Sequence, residues 1–158
     1  MEAETLRRTV WEEMLYADMR ANYFAELVRH YQNLDRGIRV CVLAASSGAA
    51  ATTLSAAPPE IKIALPLAAA AGSFWLLFSQ YSIMARDAAD LHVGWNSIKT
   101  EYENLWNSLG DPNAEARYRQ IYDRAEIFSK AGTKFPNKTR RLRYWLEQTT
   151  KLATTRYA

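Results

Sequence analysis

The chain holds few residues of the types that carry out catalysis or bind metal ions. It has two histidines, His30 and His92, and one cysteine, Cys41. A single cysteine excludes an internal disulfide and a multi-cysteine metal site, and two isolated histidines are more typical of a helix surface than of a metal centre. Three carboxylates of the N-terminal segment are predicted on a solvated helix face: Glu12, Glu13 and Asp18. Because no glycine-rich phosphate loop or nucleophile elbow occurs either, the sequence predicts no enzyme and no cofactor.

A group of cations near the C-terminus has a composition suited to binding an anion. It comprises Lys130, Lys134, Lys138, Arg140, Arg141 and Arg143, with no acid between Ile127 and Leu146. Such a cluster suits anionic lipid, an acidic partner or nucleotide ligand, or nucleic acid, and the net charge of +3 is compatible with each. With a membrane hairpin predicted in the same chain, anionic lipid is the simplest of these ligands, and nucleic acid is not expected. A basic surface that is merely solvated accounts for the cluster equally well.

Two long segments lack charged side chains altogether. No Asp, Glu, Lys or Arg occurs between Arg39 and Glu60, or between Lys62 and Arg86. The helices predicted to contain these segments, residues 38–57 with Arg39 at the entry and residues 63–84, are each long enough to cross a hydrocarbon core of about 30 Å. The paired prolines between them predict a tight turn, and the excess of Lys and Arg on the outer flanks places both termini in the cytoplasm.

The first of these segments is rich in small and weakly polar residues, so it is marginal as a lipid-facing helix. On a helical wheel one arc collects Cys41, Ala45, Gly48, Thr52 and Ser55. This arc predicts either the lining of a pore or a close helix–helix contact in a homo-oligomer. Packing against the second segment of the same chain explains it equally well.

The flanking segments, residues 4–36 and 86–109, are predicted to be amphipathic helices. Apolar residues recur at alternating intervals of four and three. In the first segment they are Val10, Met14, Ala17, Ala21, Phe24, Val28 and Tyr31; in the second they are Leu91, Trp95, Ile98, Tyr102, Leu105 and Leu109. The expected fold, a single domain over 1–158, is all-α: a transmembrane helical hairpin extended into a cytoplasmic antiparallel coiled-coil stalk, with two shorter C-terminal helices in residues 111–158.

The order of these elements resembles the SLATT family of two-span membrane effectors. The residues that carry the resemblance are the entry MRANYFAELVRHYQNLDRGIRV (Met19–Val40), the small-residue first span, and RDAADLH (Arg86–His92). The resemblance implies a location in the bacterial inner membrane and a part in defence systems that use nucleotide signals. It also implies a separate sensor protein, because the chain carries no obvious sensor domain.

The expected function is therefore that of an oligomeric pore-forming effector, which permeabilises the inner membrane under the control of a partner. Its partners would be membrane lipid, further copies of the chain and the sensor. One alternative is a non-conducting membrane anchor or scaffold whose cytoplasmic helices dock a partner protein. A second alternative is a soluble basic helical bundle, because alanine-rich runs without charge also occur in buried core helices.

Overall fold

The computed structural model describes residues 3–46 and 58–157, and every regular element in these two ranges is helical. The helices are α1 (Ala3–Ser46), α2 (Pro59–Ser79), α3 (Tyr81–Trp106), α4 (Ala114–Ala131) and α5 (Thr139–Tyr157), with a 3₁₀ turn at Gly132–Lys134. The predicted all-α class is confirmed, as are the long N-terminal helix and the shorter C-terminal helices. By its internal contacts the chain divides into two compact units, one of Met1–Leu27 and Asp87–Ala158 and the other of Val28–Arg86.

The first unit is built on the antiparallel pairing of the N-terminal part of α1 with α3. Trp11 packs on Trp106, with ring centroids 5.3 Å apart, and Asp18 pairs with Lys99 at 3.1 Å. The apolar positions predicted from the sequence form the core here. The most completely buried of them, at 3% exposure or less, are Val10, Met14, Ala17, Ala21, Phe24, Trp95, Ile98, Tyr102 and Leu105. Burying these large side chains along one stripe of each helix supplies the hydrophobic stabilisation that neither helix has alone.

Helix α4 packs against one side of this pair through aromatic side chains. Tyr118 lies against Tyr102, and Phe128 lies against Trp95, each with ring centroids 6.3 Å apart. The Phe128 ring fits over Gly94, where a Cβ atom would stand only 2.7 Å from two of its ring carbons. A glycine in the middle of α3 is thus explained by the close approach of a ring on α4.

The segment between α4 and α5 crosses α1. Phe135 is buried and packs edge-on against Phe24, with ring centroids 5.6 Å apart. The hydroxyl of Tyr23 donates a hydrogen bond to the carbonyl of Pro136. These two contacts fix the path of the chain into α5, which lies against α1 through Glu26 and against α3 through Glu103.

The second unit contains the C-terminal part of α1, helix α2 and the first residues of α3. Here α1 and α2 approach closely, because a Cβ atom on Gly72 would stand 2.9 Å from Val42 Cγ2. Tyr31 stacks on Tyr81 with ring centroids 6.3 Å apart. Six large apolar side chains described in this unit are exposed, namely Val40, Leu43, Leu67, Phe74, Trp75 and Ile83.

The predicted membrane hairpin is not supported. Among residues 3–46 and 58–157, no helix combines the length and the apolar character needed to cross a membrane. In α1 the charged residues Asp35, Arg36 and Arg39 come close to the uncharged end, and in α2 alanine, glycine and serine stand where larger apolar residues would be needed. The predictions of a pore-forming effector and of a two-span inner-membrane protein are therefore wrong.

The predicted continuity of the second apolar segment with the helix that follows it is also wrong. The backbone breaks at Gln80, which has φ 47° and ψ 23° in the left-handed region. A non-glycine residue adopts this conformation rarely, because its Cβ crowds the backbone. The left-handed residue ends α2 at Ser79, and α3 begins at Tyr81.

Candidate functional site

Three of the six cations in the C-terminal basic cluster form ion pairs within the first unit. Lys130 pairs with Glu126 one turn earlier at 2.7 Å, and Lys134 pairs with Asp87 of α3. Arg141 pairs with Glu26 of α1 at 2.9 Å. Lys134 and Arg141 thus join the segment before α5 and α5 itself to α3 and α1, whereas Lys130 pairs within α4 and is largely exposed.

Glu26 fastens the start of α5 to α1 with both of its carboxylate oxygens. Arg141 Nη1 lies 2.9 Å from Oε1, and Trp145 Nε1 donates a hydrogen bond of 2.8 Å to Oε2. Arg141 and Trp145 are four residues apart, which puts both on the same face of the helix. The opposite face of the first turns of α5 is consequently presented to solvent.

The remaining cations of the cluster lie at the start of α5: Arg140 and Arg143 are in its first turns, and Lys138 directly precedes it. Lys138, Arg140 and Arg143 are exposed, and none of their side chains forms an ion pair within the described ranges. Tyr144 adjoins them with 53% of its surface exposed. We refer to these four residues as the basic surface of α5. The only acid in α5 is Glu147, so the surface keeps a positive potential.

The comparisons with known proteins identify no family. No protein-family model matches the chain, and neither a curated protein nor a solved structure gives a match. The resemblance to the SLATT family therefore stays a prediction. Any functional role for particular residues must therefore be inferred from their geometry in the first unit.

Most residues of the arc predicted on the first apolar segment lie outside the part of the chain that the structure describes. Gly48, Thr52 and Ser55 lie outside the described residues, and so does the side chain of Ala45. Cys41 is described and is an exposed free thiol. It lines a cavity of about 330 Å³ between α1 and α2, together with Gly37 and Ile38.

His92, predicted on an exposed helix face, instead connects the two central helices. Its Nδ1 lies 2.8 Å from the carbonyl oxygen of Ala21, so this nitrogen carries the proton and donates it to α1. The amide of Asn96, 3.2 Å from Nε2, can then donate to the other ring nitrogen. This histidine is half-buried and occupied by hydrogen bonds, which gives it a structural part in the α1–α3 pair.

A cavity of about 260 Å³ lies where α1, α3 and α4 meet, and the sequence pattern did not reveal it. It is lined by Glu13 and Tyr16 of α1, Trp95 of α3, and Tyr122 and Glu126 of α4. Glu13 was predicted on a solvated face, but it is half-buried at the edge of this cavity. The available signal was its position, directly before the buried Met14 and one turn before the aromatic Tyr16.

The Glu13 carboxylate places a negative charge at this cavity that no described cation balances. Desolvation by burial, together with the neighbouring charge of Glu12, raises the pKa of Glu13 above its usual value. Burial, and next the charge of Glu13, also raises the pKa of Tyr102 and that of Tyr118. No cationic side chain in the described ranges pairs with Glu13. The negative charge of Glu13 thus disfavours ionisation of the nearby Tyr102 and Tyr118 hydroxyls.

Proposed function

We propose that this chain is a non-catalytic helical docking module that binds an acidic partner protein through the basic surface of α5. The observation that carries the proposal is the division of the basic cluster into two classes. Lys130, Lys134 and Arg141 are neutralised by Glu126, Asp87 and Glu26. Lys138, Arg140 and Arg143 remain exposed at the start of a helix that is fixed at its base.

A fixed helix favours binding because little conformational entropy is lost when its surface is covered. The bonds from Glu26 to Arg141 and Trp145 hold the backbone of the first turns of α5 in place. Two arginines on this backbone can each bind a carboxylate through two parallel hydrogen bonds. The exposed ring of Tyr144 adds the kind of rigid aromatic contact that is enriched in protein interfaces.

The remainder of the first unit would serve as the frame of the module. We propose that α1 and α3 pack in the manner of an antiparallel coiled coil, and the support for this is the regular burial of the predicted apolar positions in both helices. A frame of this kind positions α5 without contributing chemistry of its own. The partner predicted from the sequence, a separate sensor protein, is compatible with this proposal.

A direct test compares two double charge reversals of equal net charge. The first, Arg140→Glu with Arg143→Glu, inverts the basic surface of α5. The second, Arg8→Glu with Arg119→Glu, alters two highly exposed arginines elsewhere on the unit. The probe is a fluorescein-labelled peptide of alternating aspartate and leucine, and binding is measured by fluorescence anisotropy at low and physiological salt.

The proposal expects the first variant to lose at least about tenfold in affinity while the second stays close to wild type, and expects binding to weaken as salt rises. Equal losses in both variants would show a response to net charge alone and would overturn it. Two alternative ligands are tested in parallel: vesicles that contain phosphatidylglycerol and, separately, a short DNA duplex. Binding to either of these without binding to the peptide would contradict a protein partner.

A further inference from the structure

The cavity between α1, α3 and α4 has the features of a receptor for an organic cation, and it does not involve the basic surface of α5. Its walls are aromatic: the ring of Tyr16 meets Trp95 edge-on with centroids 5.7 Å apart, and Tyr122 stands at the rim with 46% of its surface exposed. The negative faces of such rings attract a cation placed over them.

The chain itself shows that Tyr16 accepts a cation. The guanidinium carbon of Arg20 lies 5.0 Å from the centroid of the Tyr16 ring, and its Nε donates a 2.8 Å hydrogen bond to the Tyr16 hydroxyl. Arg20 makes this contact from the next turn of α1. Within the described residues, Arg20 forms no ion pair with Glu13.

Two carboxylates lie in the wall of the cavity, and one of them can favour a cationic ligand over a neutral one. Glu126 is balanced by Lys130 at 2.7 Å, whereas Glu13 is half-buried and has no cationic partner in the described part of the chain. A half-buried carboxylate without a counter-ion costs stability. Perturbed carboxylates that lie in a cleft are concentrated at functional sites.

A buried polar atom in the same wall is also unpartnered. Trp95 is 2% exposed, and its Nε1 has no acceptor among the described residues. Buried donors are rarely left unpaired in folded proteins. Because this nitrogen is closed off from solvent, Trp95 contributes to the cavity as a rigid aromatic wall and not as a hydrogen-bond donor.

We propose that this cavity binds an alkylammonium group, with Glu13 as its counter-ion and the rings of Tyr16 and Tyr122 as its walls. The volume of about 260 Å³ is sufficient, since a cavity of about 150 Å³ already admits a benzene molecule. The ammonium group can belong to a small free amine or to a lysine side chain of another protein. The chemistry of recognition is the same in both cases.

The test titrates the full chain with n-butylammonium, observed by ligand-detected NMR and by calorimetry. The isosteric variant Glu13→Gln should weaken binding by about tenfold, because it removes the charge that the ammonium group pairs with. The matched control Glu12→Gln changes an exposed carboxylate that already pairs with Arg8 at 2.9 Å, and it should bind within about twofold of wild type. Thermal unfolding establishes that both variants are folded.

Three further probes identify the source of the ammonium group and exclude a cavity that binds alkyl chains alone. The capped peptide Gly-Lys-Gly and its norleucine analogue report on a lysine side chain, and n-butanol reports on the same alkyl chain without charge. Tighter binding of the lysine peptide assigns the site to a partner side chain, and tighter binding of n-butylammonium assigns it to a free amine. Binding of n-butanol equal to that of n-butylammonium, equal affinity in Glu13→Gln, or no saturable binding of either cation in the millimolar range would overturn the proposal.

Discussion

Trp145 donates a 2.8 Å hydrogen bond from its indole nitrogen to Glu26, although the two residues are far apart in the sequence. The second oxygen of the same carboxylate lies 2.9 Å from Arg141. A single side chain of α1 therefore determines how the first turns of α5 lie on the unit. Because hydrogen bonds to a charged group are stronger than neutral ones, this contact should control the stability of the C-terminal helix.

Replacing Glu26 by alanine should destabilise the folded chain by about 1–2 kcal/mol, because two charge-assisted bonds are lost from a half-buried position. The loss should be concentrated in α5. Urea denaturation measures the change in the free energy of unfolding, and hydrogen exchange shows where protection is lost. Glu12→Ala is the matched control, since its partner Arg8 is exposed and the change should stay within about 0.5 kcal/mol. Uniform loss of protection across α1 and α3 would contradict a local anchoring part for Glu26.

Two glycines in helix interiors should respond to alanine in opposite directions. At Gly94 the new Cβ would collide with the ring of Phe128, and such overpacking costs about 1–3 kcal/mol. At Gly37 nothing described lies within 4 Å, so alanine should stabilise the helix by about 0.5–1 kcal/mol through backbone entropy. Chemical denaturation of both variants tests the prediction. A stabilising Gly94→Ala would mean that Phe128 yields freely, and the account of α4 packing would be wrong.

The sequence predicted the fold best where a periodic pattern decides burial. Val10, Met14 and Ala17 were assigned to the core from spacing alone, and all three are buried. Val28 and Tyr31 continue the same pattern but are only half-buried. Periodicity shows which face of a helix is apolar. It does not show how far along that face a partner extends.

The sequence failed where the outcome depends on residues distant in the chain. The pairing of Lys130 with Glu126 follows from a spacing of four, but those of Lys134 with Asp87 and Arg141 with Glu26 require the fold. The membrane segments were predicted from the absence of charge, which is a weaker criterion than high hydrophobicity. Alanine, the commonest residue of these runs, lowers the transfer free energy very little.

Tyr102 should make the folded state sensitive to alkaline pH. Burial, and next the charge of Glu13, raises the pKa of its hydroxyl above the ordinary value of 10.0. Above about pH 10 the unfolded chain releases this proton while the folded chain retains it, so stability falls as the pH rises. Tyr102→Phe should reduce that dependence at little cost near neutral pH, because the buried hydroxyl has no partner within the described residues, and Tyr118, whose pKa is also raised, should account for part of what remains. The exposed Tyr122, replaced in the same way, is the control, and its alkaline unfolding profile should match wild type. An unchanged profile for Tyr102→Phe would show that another group governs alkaline unfolding.

Glu13 should destabilise the folded chain at neutral pH, and this expectation holds whether or not the cavity has a ligand. Its pKa is raised chiefly by desolvation, so the folded state binds a proton more readily than the unfolded chain, whose pKa is near 4.5. As the pH falls through the raised value toward 4.5, the folded chain takes up this proton first, and the contribution of Glu13 to stability becomes more favourable.

Glu13→Gln should therefore unfold at a higher urea concentration than wild type at pH 7, and the difference should shrink as the pH approaches 4.5. Glu12→Gln provides the comparison at the neighbouring exposed position, and its effect should be smaller, because it relieves only the lesser of the two causes that raise the pKa of Glu13. Measuring the difference between variants removes the titration of Glu126 and of the remaining acids. A Glu13→Gln chain that is less stable than wild type at pH 7 would mean that the carboxylate makes a stabilising interaction in the folded state. In that case Glu13 would have no unmet charge for an alkylammonium ligand to balance.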